Sequence, residues 1–358
     1  MTRERNPQLH AAVLAAPDDD APRLAYADWL TARGDPWGEL ISVQIARTLA
    51  DTPELRNRER ELLESPPQPR GEFRRGFVEF LYADLATLDE QLADTCVRVL
   101  RIREDARVPH QAVRIAMALP RMRLRSIELG TMSDDDLATL CNALGDSLDA
   151  FSYGWGHGSV STAQTLAITR SRLRVSSLAL SGIEPDALAA LAVSHPLRSL
   201  SLEASDLGRG VFKTIVDAPA LARCEHLELS YTGIGEEDVF AIASSAMPLV
   251  SLGLSGNALG PAAAHRIANT PRFAALRRLR IARCKIGNAG LDALLASPYL
   301  SRDMQLCLDR RALGWPHVVE SSGNIWEEPG DRAVTERIEA RFEIAGDDAI
   351  IVDEDEST

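Results

Sequence analysis

Apolar residues in this chain recur as Leu-x-x-Leu-x-Leu, and the pattern returns every 20 to 27 residues from about residue 77 to residue 308. It is cleanest at Val175/Leu178/Leu180, Leu197/Leu200/Leu202, Cys224/Leu227/Leu229, Leu249/Leu252/Leu254 and Leu276/Leu279/Ile281. Weaker copies fit at Phe77/Phe80/Tyr82, Val97/Leu100/Ile102, Leu124/Ile127/Leu129 and Leu148/Phe151/Tyr153, and a last one ends at Leu306/Leu308. Alternation inside each copy predicts a short strand with one buried face. Self-similarity at this period predicts a solenoid, because one strand-plus-helix unit must stack on neighbours to bury its apolar side.

The segments between copies predict helices. Ser133-Asp134-Asp135-Asp136 caps a run with Leu137, Leu140 and Leu144. Pro185, Gly235-Glu236-Glu237 and Pro261 open three more, and acids in a first turn suit the helix dipole. Upstream, residues 8–47 carry helical spacing broken at Pro17-Asp18-Asp19-Asp20 and at Gly34-Asp35-Pro36. Pro53 to Pro69 is hydrophilic and predicts a connector. After Leu308 the periodicity fades; Trp315, Pro316 and Trp326 suit a cap over the last repeat. The chain ends with Ile350-Ile351-Val352 and four acids, a tail expected to be disordered in isolation yet able to add a strand to a sheet edge.

Two stretches resemble known families. Pro17 to Leu30 (PDDDAPRLAYADWL), followed by Arg33-Gly34-Asp35-Pro36-Trp37-Gly38-Glu39-Leu40-Ile41 and Gln44, resembles the bacterial repeat-companion domain, a short module that precedes leucine-rich repeats. The repeats resemble the ribonuclease-inhibitor-like class of leucine-rich repeats, best at Leu252-Gly253-Leu254-Ser255-Gly256-Asn257-Ala258-Leu259-Gly260. They depart from it in several units of 22 to 25 residues and in lacking the inward Asn in most units; Cys284 stands at one such position. Neither resemblance implies a catalytic activity.

The expected fold class is α/β: a leucine-rich repeat solenoid with parallel strands on the concave face, helices on the convex face and a helical N-terminal cap. The expected organisation is a module over 1–50, a connector over 51–76, about ten repeats over 77–310, a cap over 311–344 and an acidic tail over 345–358.

Charge and composition narrow the function. A net charge of −13 argues against nucleic acid as a partner, since phosphate neutralisation needs concentrated Lys and Arg. No run is long and apolar enough to span a membrane, and the polar Met1–Pro7 start lacks a secretory pattern. Five Cys without a Cys-x-x-Cys pair suit reduced thiols in the cytoplasm. The seven His fall in different units, so neither a metal nor a cofactor is expected. Gly154-Trp155-Gly156-His157-Gly158 lacks the Lys of a phosphate loop and suits a tight turn, which leaves no nucleotide site. Asp18-Asp19-Asp20 suits helix capping better than a cation.

Strand alternation also lists the concave side chains. Arginines gather toward both ends (Arg101 and Arg103; Arg278, Arg280 and Arg283), while the middle is small apart from Glu203, His226 and Glu228. Trp155, His157 and Tyr231 fall on the rim, where aromatic anchors are favoured. The expected function is a non-enzymatic protein-interaction scaffold using this face, with Ile350, Ile351 and Val352 as a second contact. The alternative is a regulatory subunit or protease substrate acting on a separate enzyme through its tail or connector.

Overall fold

The computed structural model describes residues 6–64, 71–83, 85, 88, 92, 96–102, 111–119, 122–154, 158–192 and 194–308, and the backbone of 350–352. The chain divides into two compact units, 1–132 and 133–358.

The first unit begins with four helices: α1 (Pro7–Ala15), α2 (Asp20–Thr31), α3 (Pro36–Leu49) and α4 (Pro53–Leu63). Asn6, Asp19, Asp35 and Thr52 cap them, each accepting a hydrogen bond from the first helical turn. The expected connector therefore contains a helix. Thr52-Pro53-Glu54 is a start signal, but α4 buries no residue, so its hydrophilic sequence hid it. Charged contacts hold it instead, Arg58 to Glu39 and Arg47 to Glu59.

Next come β1 (Gly71–Arg74) and β2 (Phe77–Ala83), an antiparallel hairpin whose two-residue turn, Arg75-Gly76, has φ of 49° and 81°. Gln44 bridges the hairpin to α3: its Oε1 accepts from Gly76 N at 2.6 Å, and its Nε2 donates to Phe73 O at 3.2 Å. Strand β3 (Val99–Ile102), helix α5 (Gln111–Ala118) and strand β4 (Ser126–Leu129) follow, with β2, β3 and β4 parallel.

Register corrects the sequence frame of the first repeat. Leu81, not Phe80, pairs with Leu100, so the buried set is Val78, Leu81 and Ala83. A one-residue slip sends Phe80 and Tyr82 to the opposite face. The larger aromatics masked the small Ala83.

Module and first repeat share one core: Val13, Tyr26, Ala27, Leu30, Ile41, Ile45, Phe77 and Cys96 are buried together. Beside it the Arg23 guanidinium is fully buried. It donates to Arg75 O (3.0 Å), Pro17 O (2.9 Å) and the Glu79 carboxylate (2.9 Å), and lies 5.0 Å from the Phe77 ring centre.

The second unit stacks β5 (Ala150–Tyr153), β6 (Ser177–Leu180), β7 (Ser199–Ser201), β8 (His226–Glu228), β9 (Ser251–Gly253), β10 (Arg278–Arg280) and β11 (Gln305–Leu308) in parallel. Their central residues Phe151, Leu178, Leu200, Leu227, Leu252, Leu279 and Leu306 are buried and in register. Helices α6 (Asp134–Leu144), α7 (Thr162–Arg170), α8 (Leu188–Leu191), α9 (Glu236–Ser244), α10 (Gly260–Ala268) and α11 (Gly287–Leu295) alternate with the strands. Between β7 and β8 two short 3-10 turns, Phe212–Thr214 and Pro219–Leu221, replace a helix. The buried Asp238 of α9 holds the first of them, accepting from Gly210 N at 2.7 Å and Lys213 N at 3.0 Å.

Five residues past each central leucine a side chain turns inward: Ile183, Ser205, Thr232, Asn257 and Cys284, all buried. Asn257 Nδ2 donates to Leu229 O and Leu254 O, both at 2.8 Å, and its Oδ1 accepts from Thr232 N at 3.1 Å. Thr232 Oγ1 donates to Leu229 O (2.6 Å) and Cys284 Sγ to Leu254 O (3.0 Å). Hydroxyls and a thiol thus take over much of what an asparagine would do, which explains how so few asparagines suffice.

Ile350–Val352 forms β12, parallel to β11 with Leu306 opposite Ile350. The tail expected to be free thus pairs with the chain's own last repeat, whose edge backbone groups gain partners. The cap expected over 311–344, with Trp315 and Trp326, lies outside the described residues, as do the terminal acids.

Leu227 lies at the centre of the most regular block and is 1% exposed. Leu227→Ala should destabilise the second unit by about 3 kcal/mol through the cavity it leaves. A urea midpoint at the wild-type value would show that its neighbours do not depend on it.

Candidate functional site

Parallel pairing sets the outward side chains of the second unit in two rows. One runs Ser177, Ser199, His226, Ser251, Arg278, Gln305, and the other Ala179, Ser201, Glu228, Gly253, Arg280, Cys307. Small residues dominate at β6 and β7, and charges enter from β8 onward. Ten of these twelve residues are at least partly exposed, whereas Gly253 and Cys307 are buried, and the sequence could not show what the charges meet.

The arginines expected to grip an acidic partner have partners of their own. Arg280 Nη2 donates to Glu228 Oε2 at 2.6 Å, across the intervening strand β9. The crossing works because β9 carries Gly253 there: a β-carbon would collide with the Glu228 carboxylate. Glu228 Oε1 also accepts from Ser230 N at 2.9 Å. Arg278 donates from Nε to Gln305 at 3.0 Å and remains exposed, as do His226, Glu203 and Arg283. Arg278 and Arg280 share a face but point their charges to different neighbours, so they do not form a ready bidentate grip.

Beyond the strands, a row of turn residues four past each central leucine has left-handed backbone: Gly182 (φ 69°), Ala204 (56°), Tyr231 (56°), Gly256 (73°) and Arg283 (56°). The conformation is pinned from one repeat to the next. Ala204 N donates to Ser230 O (3.1 Å), Tyr231 N to Ser255 O (2.8 Å) and Gly256 N to Ala282 O (2.9 Å). Glycine suits this backbone; Tyr231 and Arg283 adopt it against the steric preference of side-chain-bearing residues. The sequence signal was present as Gly182 and Gly256 in equivalent places, but it marks the row only once the frame is fixed. Tyr231 is 42% exposed.

In the first unit, Arg101 stands on the outward face beside Glu128, with which it forms an ion pair. Its guanidinium lies 5.4 Å from the ring centres of both Phe80 and Tyr82. The misplaced frame hid this aromatic pair. Arg103, Trp155 and His157 lie outside the described residues.

Among the described residues no three His, Cys, Asp or Glu side chains come together in a way that could hold a metal ion, and no helix is long and apolar enough to cross a membrane. All five Cys are buried thiols outside any disulfide. Burial pushes the Cys141 thiol up to about 12 and that of Cys224 up to about 11. Since the thiolate is the reactive form, both shifts protect the thiols. Folded protein at pH 8 should therefore resist an alkylating reagent over a time in which urea-unfolded protein takes up five labels. Fast single-site labelling of the native state would reveal an accessible thiolate.

A family model described as Leucine Rich repeat matches residues 275–295, the stretch from the start of the β10 repeat to the end of α11. No curated protein matches the chain. Among solved structures, a chain in the crystal structure of the yeast Rad7 and Elc1 complex is similar, with 14% identity, 86% of this chain and 87% of that chain covered, and a TM-score of 0.42. The repeat over residues 275–295 is thus similar to a leucine-rich repeat, and the fold class of the chain is an α/β repeat solenoid.

Proposed function

We propose that the protein is a non-enzymatic, cytoplasmic scaffold that binds another protein through the outward face of its strands. The observation that carries this reading is the pair of outward rows: along β6 to β11, apart from Gly253 and Cys307, they present side chains that the buried core does not use. Five strand spacings of about 4.8 Å make that face about 24 Å wide, so a protein contact of ordinary size, about 800 Å² per partner, would extend from the short strands onto the flanking turns. The net charge of −13 weighs against nucleic acid.

Ser199→Trp with Ser251→Trp tests the reading. Both side chains are half-exposed members of the first row, so added bulk projects outward. Capture of the natural partner from the host should fall at least tenfold while the melting temperature stays within a few degrees. Undiminished capture by a folded variant would move the contact to the helices or the termini and overturn the assignment.

A further inference from the structure

We propose that Tyr231 is the anchor of a recognition site for an arginine side chain carried by the partner protein, with Asp206 as its counter-charge. This rests on the strand side being an interaction surface and names the contact and its chemistry. Four observations lead to it. Tyr231 holds a left-handed backbone (φ 56°) where the turns of β6 and β9 have glycine. An aromatic residue is disfavoured there, and such strained positions gather at functional sites.

The ring, second, is laid flat against the next repeat. A β-carbon at Gly256 would collide with it, so one ring face rests on the Gly256 backbone. The residue is still 42% exposed, so part of the ring is open to solvent. A planar, supported and partly exposed aromatic ring is a stacking platform.

Third, the chain shows what such platforms take. Arg101 lies over Tyr82 with Glu128 as counter-ion, Arg33 lies 3.9 Å from the Trp29 ring centre, and Arg266 lies 5.5 Å from that of Phe240. Among the described residues no guanidinium covers Tyr231, although it is as exposed as Tyr82. At Tyr82 the chain itself supplies both the stacked cation and its counter-ion.

The local charge, finally, suits a cation. The Asp206 carboxylate sits beside Gly233, two residues past Tyr231, where a β-carbon would lie 3.3 Å from its Oδ1. Asp206 is exposed. Glu228 ends the strand just before this turn, its carboxylate bound to Ser230 N and Arg280. An overall charge of −13 draws cationic segments toward the molecule. Arginine is preferred to lysine because its flat guanidinium stacks on the ring while bonding a carboxylate at its edge.

The test uses the full chain and fluorescein-labelled decapeptides containing two arginines in a Gly/Ser background, with lysine and glutamate peptides as matched probes. Anisotropy at 150 mM salt should show the arginine peptide bound at least threefold more tightly than the lysine peptide. Tyr231→Phe should stay within twofold of wild type, Tyr231→Leu should weaken the arginine peptide about tenfold, and Asp206→Asn about threefold. Tyr231→Gly separates recognition from folding: relief of the left-handed strain should keep or raise the melting temperature while binding falls as for Leu. Equal affinity for arginine and lysine peptides, binding indifferent to Tyr231, preference for the glutamate peptide, or no binding at all would each overturn the proposal. Loss of partner capture in the Ser199→Trp/Ser251→Trp protein with full capture by Tyr231→Leu would refute this anchor and leave the interaction surface standing.

Discussion

Glu79→Gln should destabilise the first unit by about 3–5 kcal/mol, because it leaves the Arg23 cation buried without its counter-charge. The Arg23 side chain is fully inaccessible, and that of Glu79 is 8% exposed. The same carboxylate oxygen also accepts from Arg75 Nη2 at 3.1 Å, so one anion serves two guanidiniums. Backbone carbonyls of Pro17 and Arg75 satisfy N–H groups of Arg23 but carry no net charge. Burial already lowers the pKa of Arg23, which marks the strain on the charged form. The informative control is Arg23→Met with Glu79→Leu, an apolar replacement that removes both charges. It should recover much of the loss, because a buried pair is often no better than a packed apolar pair. Urea unfolding followed by Trp29 and Trp37 fluorescence would report it. A Glu79→Gln protein as stable as wild type would mean that water reaches the guanidinium.

How much of this was legible in the sequence follows from what each element buries. Strands β6 to β10 could be placed to the residue because Leu178, Leu200, Leu227, Leu252 and Leu279 each recur with two apolar companions, and the core admits nothing else there. The β2 repeat was misframed by one residue because Phe80 and Tyr82 are larger than Leu81 and Ala83. Size outweighed register, which only the pairing with β3 supplies. Helix α4 was missed since it buries no side chain. The β1–β2 turn uses Arg75-Gly76 in place of the Asn-Gly or Asp-Gly that usually announces a hairpin.

The candidate surface was legible as a list and illegible as an arrangement. Which outward residues share a row follows from alternation, and Glu228, Arg278 and Arg280 fell where expected. That Arg280 reaches over Gly253 to Glu228 does not follow, since the two residues are 52 positions apart. Charge listed along a strand face overstates what a partner can grip when neighbouring repeats neutralise one another.

Asn257→Leu should cost the second unit about 4 kcal/mol, comparable to losing a large core side chain although almost no volume is removed. A buried polar group left without a partner costs about 1–3 kcal/mol, and this substitution removes a hydrogen bond from three groups, Leu229 O, Leu254 O and Thr232 N. Leu254 O keeps the Cys284 thiol and Leu229 O keeps the Thr232 hydroxyl, so neither carbonyl is wholly bare. Thr232 N is the group with most to lose, since its bond to Asn257 Oδ1 at 3.1 Å lies in a fully buried turn. The turn it supports is the one that holds Tyr231 in its left-handed conformation, and its backbone runs directly from Tyr231 to Thr232. Loss of Asn257 should therefore do two things at once: lower the urea midpoint, and raise amide hydrogen exchange at residues 230–233 more than at the equivalent turn around Gly182. Asn257→Asp sharpens the assignment. It keeps the acceptor for Thr232 N but loses the donor to Leu229 O and Leu254 O, so exchange at 230–233 should rise less than in the leucine protein even while stability falls. Equal exchange in both variants would place the support of the turn in the strand pairing and not in the amide.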